Sequence, residues 1–412
     1  MAEHVAAWGG WGAEVRDDPF PTFARLLATG PVHAVTLADG HEATLVLGHS
    51  AARQALKDPR LSKDMQAALS DDTSTVDPGL PGPEFSRHML GVDPPDHTRL
   101  RNLVAAAFTP GRVTGLEPWI QAITDRLLDD LAQRGGVVDL VAGFAHPLPF
   151  QVIGRLLGVP DDDLPALHER FATLLAPRAG DPPAEAVEAS DAIVAYLRDL
   201  VALKQRRPGD DLVSDLARTG GDGERLTRQE LLSSLFQLVI AGHDTTTSLI
   251  GNSVVALLDH PDQLALLRAE PHRLAGAVEE LVRFTAPVPH ATFRYATEPV
   301  ELGGTTVPAG RQVLVSLAAA GRDPAHVDRP HTLDVTRVGR RHLGFGHGIH
   351  HCLGARLALL ETRVALATLL RRYPGLRLAV PRTELRWSHG DGLVIRGLAK
   401  LPVLLGTPGG RP

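Results

Sequence analysis

The chain has 412 residues, with 42 Lys and Arg against 48 Asp and Glu, giving a formal net charge of −6. That balance excludes a global field recruiting nucleic acid or an acidic membrane surface, and 43% hydrophobic with 22% charged residues is the composition of a folded globular protein. A single cysteine excludes a disulfide framework and a multi-cysteine zinc module and fits a reducing compartment, so a cytoplasmic protein is expected. The N-terminal MAEHVAAWGGWGAEVRDD lacks a basic region followed by an apolar stretch, so no secretory signal is expected. There is no run of about 20 apolar residues to span a bilayer. No repeat or low-complexity linker divides the sequence, and one domain over residues 1–412 is expected.

In chain order, VHAVTLADGHEATLVL (32–47) predicts two strands joined at Asp39-Gly40. The Pro-, Gly- and Asp-rich stretch from Ser70 to Pro95 predicts a long loop, of a length usually tied to function. From Pro95 to about Leu203 the pattern is helical, with breaks at TPG (109–111) and GVPDDD (158–163). Thr227 and Glu230 make a T-x-x-E capping box, and apolar periodicity then runs to about Asp259, a helix of roughly 50 Å at 1.5 Å per residue. Its centre, AGHDTTT (241–247), is a cluster of poor helix formers, with Gly242 alone costing about 1 kcal/mol relative to Ala. Failure of local propensity in the middle of a long helix marks a functional or strained site, a kink, or a close helix crossing at Gly242. A further helical stretch covers about Pro261 to Phe284, and short strands fall around Gly303-Gly304 within 300–317. GARLALLETRVALATLLRRY, from Gly354, is a strongly amphipathic helix. The fold class is mainly α with small β-sheets, built on a long central helix.

The only cysteine lies in FGHGIHHCLG (345–354), among three glycines and three histidines. Zinc fits poorly, because structural sites take paired ligands from separated segments. A buried, inert thiol is the bland alternative, but it leaves the glycines and histidines unexplained. A thiolate at the start of a helix, facing free backbone N–H groups and the positive end of the dipole, can stay ionised and ligate iron.

FGHGIHHCLG matches all six named positions of F-G-x-G-x-H-x-C-x-G, and the sequence resembles the cytochrome P-450 family of haem-thiolate monooxygenases. EELVR resembles the family's E-x-x-R helix (Glu280, Arg283), AGHDTT its oxygen-activation segment, and DPPDHTRLR its H-x-x-x-R helix (His97, Arg101). The resemblance runs from about residue 90 to the C-terminus and is strongest to actinomycete members that tailor polyketides and macrolides. It implies that fold, with the long helix over the haem. Haem b would be ligated by Cys352, with Phe345, Gly346, Gly348 and Gly354 shaping the turn. His97, Arg101, Arg294 and His350 match its propionate partners, while His347 and His351 are structural. Asp244 and Thr245 match its acid–alcohol pair for proton delivery, with Ala241 and Gly242 leaving room for oxygen and substrate.

The same resemblance places Met89, Leu90, Val239, Val288, His290, Ala291 and Leu393 around a hydrophobic small-molecule substrate. His290 is assigned either to a substrate oxygen or to a backbone carbonyl. Electrons would come from NAD(P)H through a separate reductase and ferredoxin, since no flavin or iron–sulfur module is recognisable. Arg99 and Arg356 are candidates to meet an acidic ferredoxin, and a monomer without nucleic-acid or membrane partners is expected. One departure stands out: Thr332 occupies the place of the arginine in the family's P-x-R-F stretch, leaving Arg337 or another residue to complete the E-x-x-R network. The expected reaction is hydroxylation or epoxidation with O₂. The rivals are a peroxide-using or oxidative-coupling enzyme of the same fold, and a non-catalytic haem protein that would not need the Asp244–Thr245 pair.

Overall fold

The computed structural model describes residues 17–37, 40–64, 87–174, 183–218, 226–337, 342–388 and 394–407. In chain order the elements begin α1 (Phe20–Thr29), β1 (Val32–Thr36), β2 (Glu42–Val46), α2 (His49–Ala55) and β3 (Leu61–Ser62). There follow α3 (Asp96–Ala105), α4 (Pro110–Gly115), α5 (Glu117–Arg134), β4 (Val137–Asp139), α6 (Pro147–Leu157), α7 (Leu164–Leu174), α8 (Ala184–Arg206) and α9 (Leu212–Arg218). The long helix is α10 (Arg228–Asp259), then α11 (Pro261–Ala269), α12 (Leu274–Thr285), β5 (Arg294–Ala296), β6 (Val300–Leu302), β7 (Thr305–Val307), β8 (Gln312–Val315) and α13 (Leu317–Ala320). The chain closes with α14 (Ala355–Arg372), β9 (Arg377–Leu378), β10 (Trp387–Ser388), β11 (Gly397–Leu398) and β12 (Pro402–Leu404). The residues group into two units, each discontinuous in sequence: 1–70, 117–145 and 245–412 in the larger, 71–116 and 146–244 in the smaller.

In the larger unit a five-stranded sheet has the order β1-β2-β8-β5-β3. The expected hairpin is its edge, with Val32 opposite Val46 and Thr36 opposite Glu42, and β2 then pairs in parallel with β8. Asp39 at its turn lies outside the described residues. Helix α5 buries Ile120, Ile123, Leu127, Leu128 and Leu131, a stripe at helical spacing. Arg372 at the end of α14 bonds Asp129 and Asp125, and the Tyr373 hydroxyl donates to the Leu128 carbonyl at 3.2 Å.

In the smaller unit the two expected breaks appear where the chemistry demands them. Pro110 opens α4 at its first position, where its missing N–H costs nothing, and Gly158 ends α6 at φ +81°, a left-handed conformation suited to glycine. The capping box forms as the sequence predicts: Glu230 N–H donates to Thr227 Oγ1 at 3.2 Å, and Thr227 N–H donates to Glu230 Oε2 at 2.8 Å. Helix α10 continues unbroken for 32 residues, through Gly242. Gly242 lies where α10 crosses α6, but a Cβ there would make only ordinary contact with Ile153, at 3.4 Å, so the crossing does not demand glycine.

Within the larger unit the E-x-x-R pair is buried. Arg283 donates from Nε and Nη2 to the two carboxylate oxygens of Glu280, both at 2.7 Å, and the side chains are 3% and 2% exposed. Burying two charges is favourable only when their remaining hydrogen-bonding capacity is met. Arg283 reaches the carbonyls of Gly321, Pro330 and Thr332, and Glu280 Oε1 also accepts from the Asp334 N–H. The place left open by Thr332 is taken by Arg337, whose Nε donates to Glu280 at 3.1 Å while its Nη1 and Nη2 bond the carbonyls of Asp328, Arg329 and Thr332.

Removing one charge strands the other. Glu280→Gln is expected to lower unfolding stability by about 3–5 kcal/mol, measured by urea denaturation of the haem-loaded protein. Arg337→Ala should cost clearly less, because the bidentate pair remains; equal losses would put the weight of the network on Arg337.

Candidate active site

In the larger unit, helix α12 fixes the start of the cysteine turn. His342 Nε2 lies 2.8 Å from Glu279 Oε2, and at Gly344 a Cβ would come within 2.6 Å of Val282 Cγ1, so only glycine lets the strand approach α12. The turn then folds on itself: Gly346 N–H donates to the Leu343 carbonyl and Cys352 N–H to the Phe345 carbonyl at 2.8 Å. Gly346 and Gly348 sit at φ +73° and +77°, and a Cβ at Gly348 would strike the Leu56 carbonyl oxygen at 2.7 Å. Phe345, Gly346, His350 and Gly354 are partly buried, while Cys352 is exposed just before α14 begins at Ala355. Arg294 is buried on β5. Val288 and Ala291 pack against the larger unit's core, and His290, also buried, sets its ring edge-on to Phe23 with centroids 5.8 Å apart. Leu393 lies outside the described residues.

In the smaller unit, residues 65–86 of the expected loop lie outside the described residues; Met89 is buried and Leu90 partly so, just ahead of α3. His97 in the first turn of α3 is 2% exposed, and burial together with the Arg101 charge pulls its pKa down from the usual imidazole range. Arg99 of the same helix ion-pairs with Glu230 at the N-terminus of α10. Val239 is buried, Ala241 is exposed in mid-helix, and Gly242 and Asp244 are partly exposed; Thr245, the next residue of the helix but grouped with the larger unit, is partly exposed too. Ala241 and Thr245, four residues apart, lie on one face of α10.

Beside Asp244 stands a cluster that the sequence did not reveal. His243, buried, donates from Nε2 to the His146 carbonyl at 3.1 Å, and its Nδ1 is 3.1 Å from Asp244 Oδ1. His146 Nε2 is 3.8 Å from that oxygen, and its Nδ1 is 2.7 Å from His168 Nε2. Burial holds the His243 imidazole neutral, its pKa lowered to about 3; burial and the neighbouring imidazoles lower His146 as well, and burial raises Asp244. The three histidines come from segments 22 and 97 residues apart, and nothing in their local sequence links them. A cavity of about 460 Å³ elsewhere, in the larger unit, is lined by Phe20, Phe284, Arg322, Trp387 and Arg396 and contains none of the expected site residues.

Glu361 is a second residue the sequence reading missed. It sits in α14 in the apolar run LALLETRVAL, fully buried, with Oε2 lacking a hydrogen-bond partner among the described residues. Its charge pattern was the available signal, one acid on a face of apolar residues.

These donors fit a haem. In the larger unit a thiol stands exposed although cysteine is among the most buried residue types, in a turn whose glycines permit close approach; in the smaller unit Arg101 supplies a cation beside the buried His97, whose ring N–H can donate to a carboxylate. The thiol turn by itself suits a haem-thiolate protein. The comparisons agree: the cytochrome P-450 family model matches residues 188–384. The monooxygenase PikC of Streptomyces venezuelae is 46% identical, over 96% of this chain and 93% of its own. The mycinamicin IV hydroxylase/epoxidase of Micromonospora griseorubida is 40% identical over 93% and 94%. The solved structure of the bacillaene polyketide synthase cytochrome P-450 PksS of Bacillus subtilis 168 superposes with TM-score 0.88 at 34% identity, covering 96% of this chain and 98% of that one. The chain belongs to the cytochrome P-450 family and is a monooxygenase of it, a haem-iron enzyme. Among the described residues no helix is long and apolar enough to cross a membrane.

Burial raises the Glu361 carboxyl well above the usual carboxylate range, so the folded protein holds it protonated. A group whose folded pKa is raised gives stability that is full below its unfolded pKa and is lost as pH rises through the folded value. Between pH 5 and pH 8, Glu361→Gln is therefore expected to flatten the decline of thermal stability, at about 1.4 kcal/mol for each pH unit still below the folded pKa. Identical pH profiles for the two proteins would place the shift elsewhere.

Proposed function

We propose that this monooxygenase inserts one oxygen atom of O₂, by hydroxylation or epoxidation, into a large hydrophobic natural product of the polyketide or macrolide class. The named reactions of the relatives support the class of substrate. The observation that carries the reading is the exposed thiol in its glycine-framed turn.

Haem b would be held through Cys352 Sγ and would supply iron for oxygen chemistry that thiolate donation favours. Backbone N–H groups around Gly348 and Gly354 stabilise the sulfur charge, Gly346 shapes the turn, and Phe345 shields the sulfur from water. His97 and Arg101 in the smaller unit, with Arg294 and His350 in the larger, hold carboxylates by charge-assisted hydrogen bonds. Thr245 positions a proton with its hydroxyl, and Asp244 passes protons inward from solvent. Ala241 and Gly242 keep that stretch of α10 free of bulky side chains. Met89, Leu90 and Val239 of the smaller unit, and Val288, His290 and Ala291 of the larger, are assigned to substrate contact, and an apolar set of this kind suits a hydrophobic ligand.

Electrons come from NAD(P)H through a separate ferredoxin reductase and ferredoxin. An iron–sulfur cluster takes about four thiolates, and this chain has one cysteine. Arg99 is committed to Glu230, which leaves Arg356 and Ile349, 51% exposed beside the cysteine turn, as the surface for an acidic ferredoxin. The protein acts as a cytoplasmic monomer, one domain over 1–412. The acid–alcohol pair favours this reading over peroxide use, oxidative coupling or a non-catalytic role.

Cys352→Ser is expected to abolish the reduced carbon-monoxide band of thiolate-ligated haem; retention of that band would overturn the ligand assignment. Thr245→Ala should still bind haem and substrate but release peroxide in place of product, at least tenfold less product per NADPH (about 1.4 kcal/mol). The check is NADPH, peroxide and product measured together with redox partners in excess, and a wild-type product yield would remove Thr245 from the relay.

A further inference from the structure

We propose that His146, His243 and Asp244, backed by His168, form a binding site for a divalent metal ion of the zinc class, wholly within the smaller unit. The residues come from three elements: His146 directly precedes α6, His168 is on α7, and His243 with Asp244 is at mid-α10. Each imidazole brings a ring nitrogen within 4.8 Å of the other two.

The hydrogen bonds decide what faces the centre. A carbonyl oxygen only accepts, so the His243 Nε2 bonded to the His146 carbonyl carries the ring proton. Its Nδ1 is then a bare lone pair, 3.1 Å from a carboxylate oxygen of Asp244. Two electron-rich atoms at that distance repel unless a proton or a metal ion lies between them, and the buried, proton-retaining Asp244 gives up its proton when the ion enters. His146 presents its Nε2 to the same oxygen at 3.8 Å. When His146 Nδ1–H donates to His168 Nε2, across 2.7 Å, the His146 Nε2 lone pair joins the other two donors. The result is a two-nitrogen, one-oxygen face. Ligands held about 2.0–2.2 Å from a tetrahedral zinc stand roughly 3.3–3.5 Å apart, so 3.1 and 3.8 Å need only small side-chain adjustments.

The outer contacts are those a metal-ligating histidine requires. Each ring has its second nitrogen engaged, His243 by a backbone carbonyl and His146 by His168, which fixes tautomer and orientation. Phe150 stacks edge-on to both His168 and His243, at 4.7 and 5.2 Å between centroids, and limits ring rotation. Imidazole with one carboxylate selects zinc and its neighbours over calcium or magnesium, which need oxygen cages. Three protein ligands leave a fourth position for water. An ion there holds the Asp244 carboxylate and takes it out of proton transfer, which makes the site inhibitory; that consequence rests on the role given to Asp244 above, whereas the site itself does not.

The test uses the haem-loaded enzyme, stripped with chelator, desalted and titrated with zinc sulfate by calorimetry, with bound metal counted by elemental analysis after dialysis. One tight equivalent and a raised thermal midpoint are expected. His146→Phe, His243→Asn and Asp244→Asn should each lose that equivalent. His168→Phe, which touches no ligand position, should retain it with affinity weakened about 10- to 100-fold. This variant covers the case in which a direct-ligand variant folds poorly. No stoichiometric binding by the wild type, or wild-type affinity in His146→Phe and His243→Asn, would overturn the site. Turnover of the same zinc-loaded samples separates the two readings: stoichiometric zinc with undiminished product would leave the site standing and overturn Asp244 as the relay acid.

Discussion

The cysteine turn depends on a charge pair that never touches it. Glu280 and Arg283 are buried almost completely, and only a full set of partners makes that burial tolerable. Arg283 gathers three backbone carbonyls from 321–332 while Arg337 closes the carboxylate side, so the irregular chain after α13 is pinned to α12. The neighbouring residues of that helix, Glu279 and Val282, then receive His342 and Gly344. In this way the network sets where the thiol stands.

The motifs dense in chemistry were legible because their spacing is local. The capping box, the E-x-x-R pair and the turn around Cys352 each lie within ten residues, and each forms as expected. Propensity was a poorer guide. The run AGHDTTT raised a kink among its alternatives, yet α10 stays continuous as the periodicity to Asp259 implied, because buried side chains flank that run on both sides and tertiary packing outweighs about 1 kcal/mol at Gly242.

What could not be seen were relations between distant segments. Thr332 signalled a missing arginine, but whether Arg337 could replace it depended on how the loop folds back. The histidine cluster joins residues 146, 168 and 243, and in the sequence only His243 stood near anything notable. The two- and three-residue strands β3, β5 and β9 carry too few residues for an alternation to register, and they exist because neighbouring strands supply their partners.

The salt bridge at the foot of α10 has a mechanical side. Arg99 sits on α3 between His97 and Arg101, and it grips Glu230, the residue that also caps the first turn of α10. Helix α3 and the long helix are thereby geared together at one carboxylate. Moving either helix end therefore means breaking or dragging that ion pair, so α3 and the first turn of α10 are tied to one another at a single carboxylate.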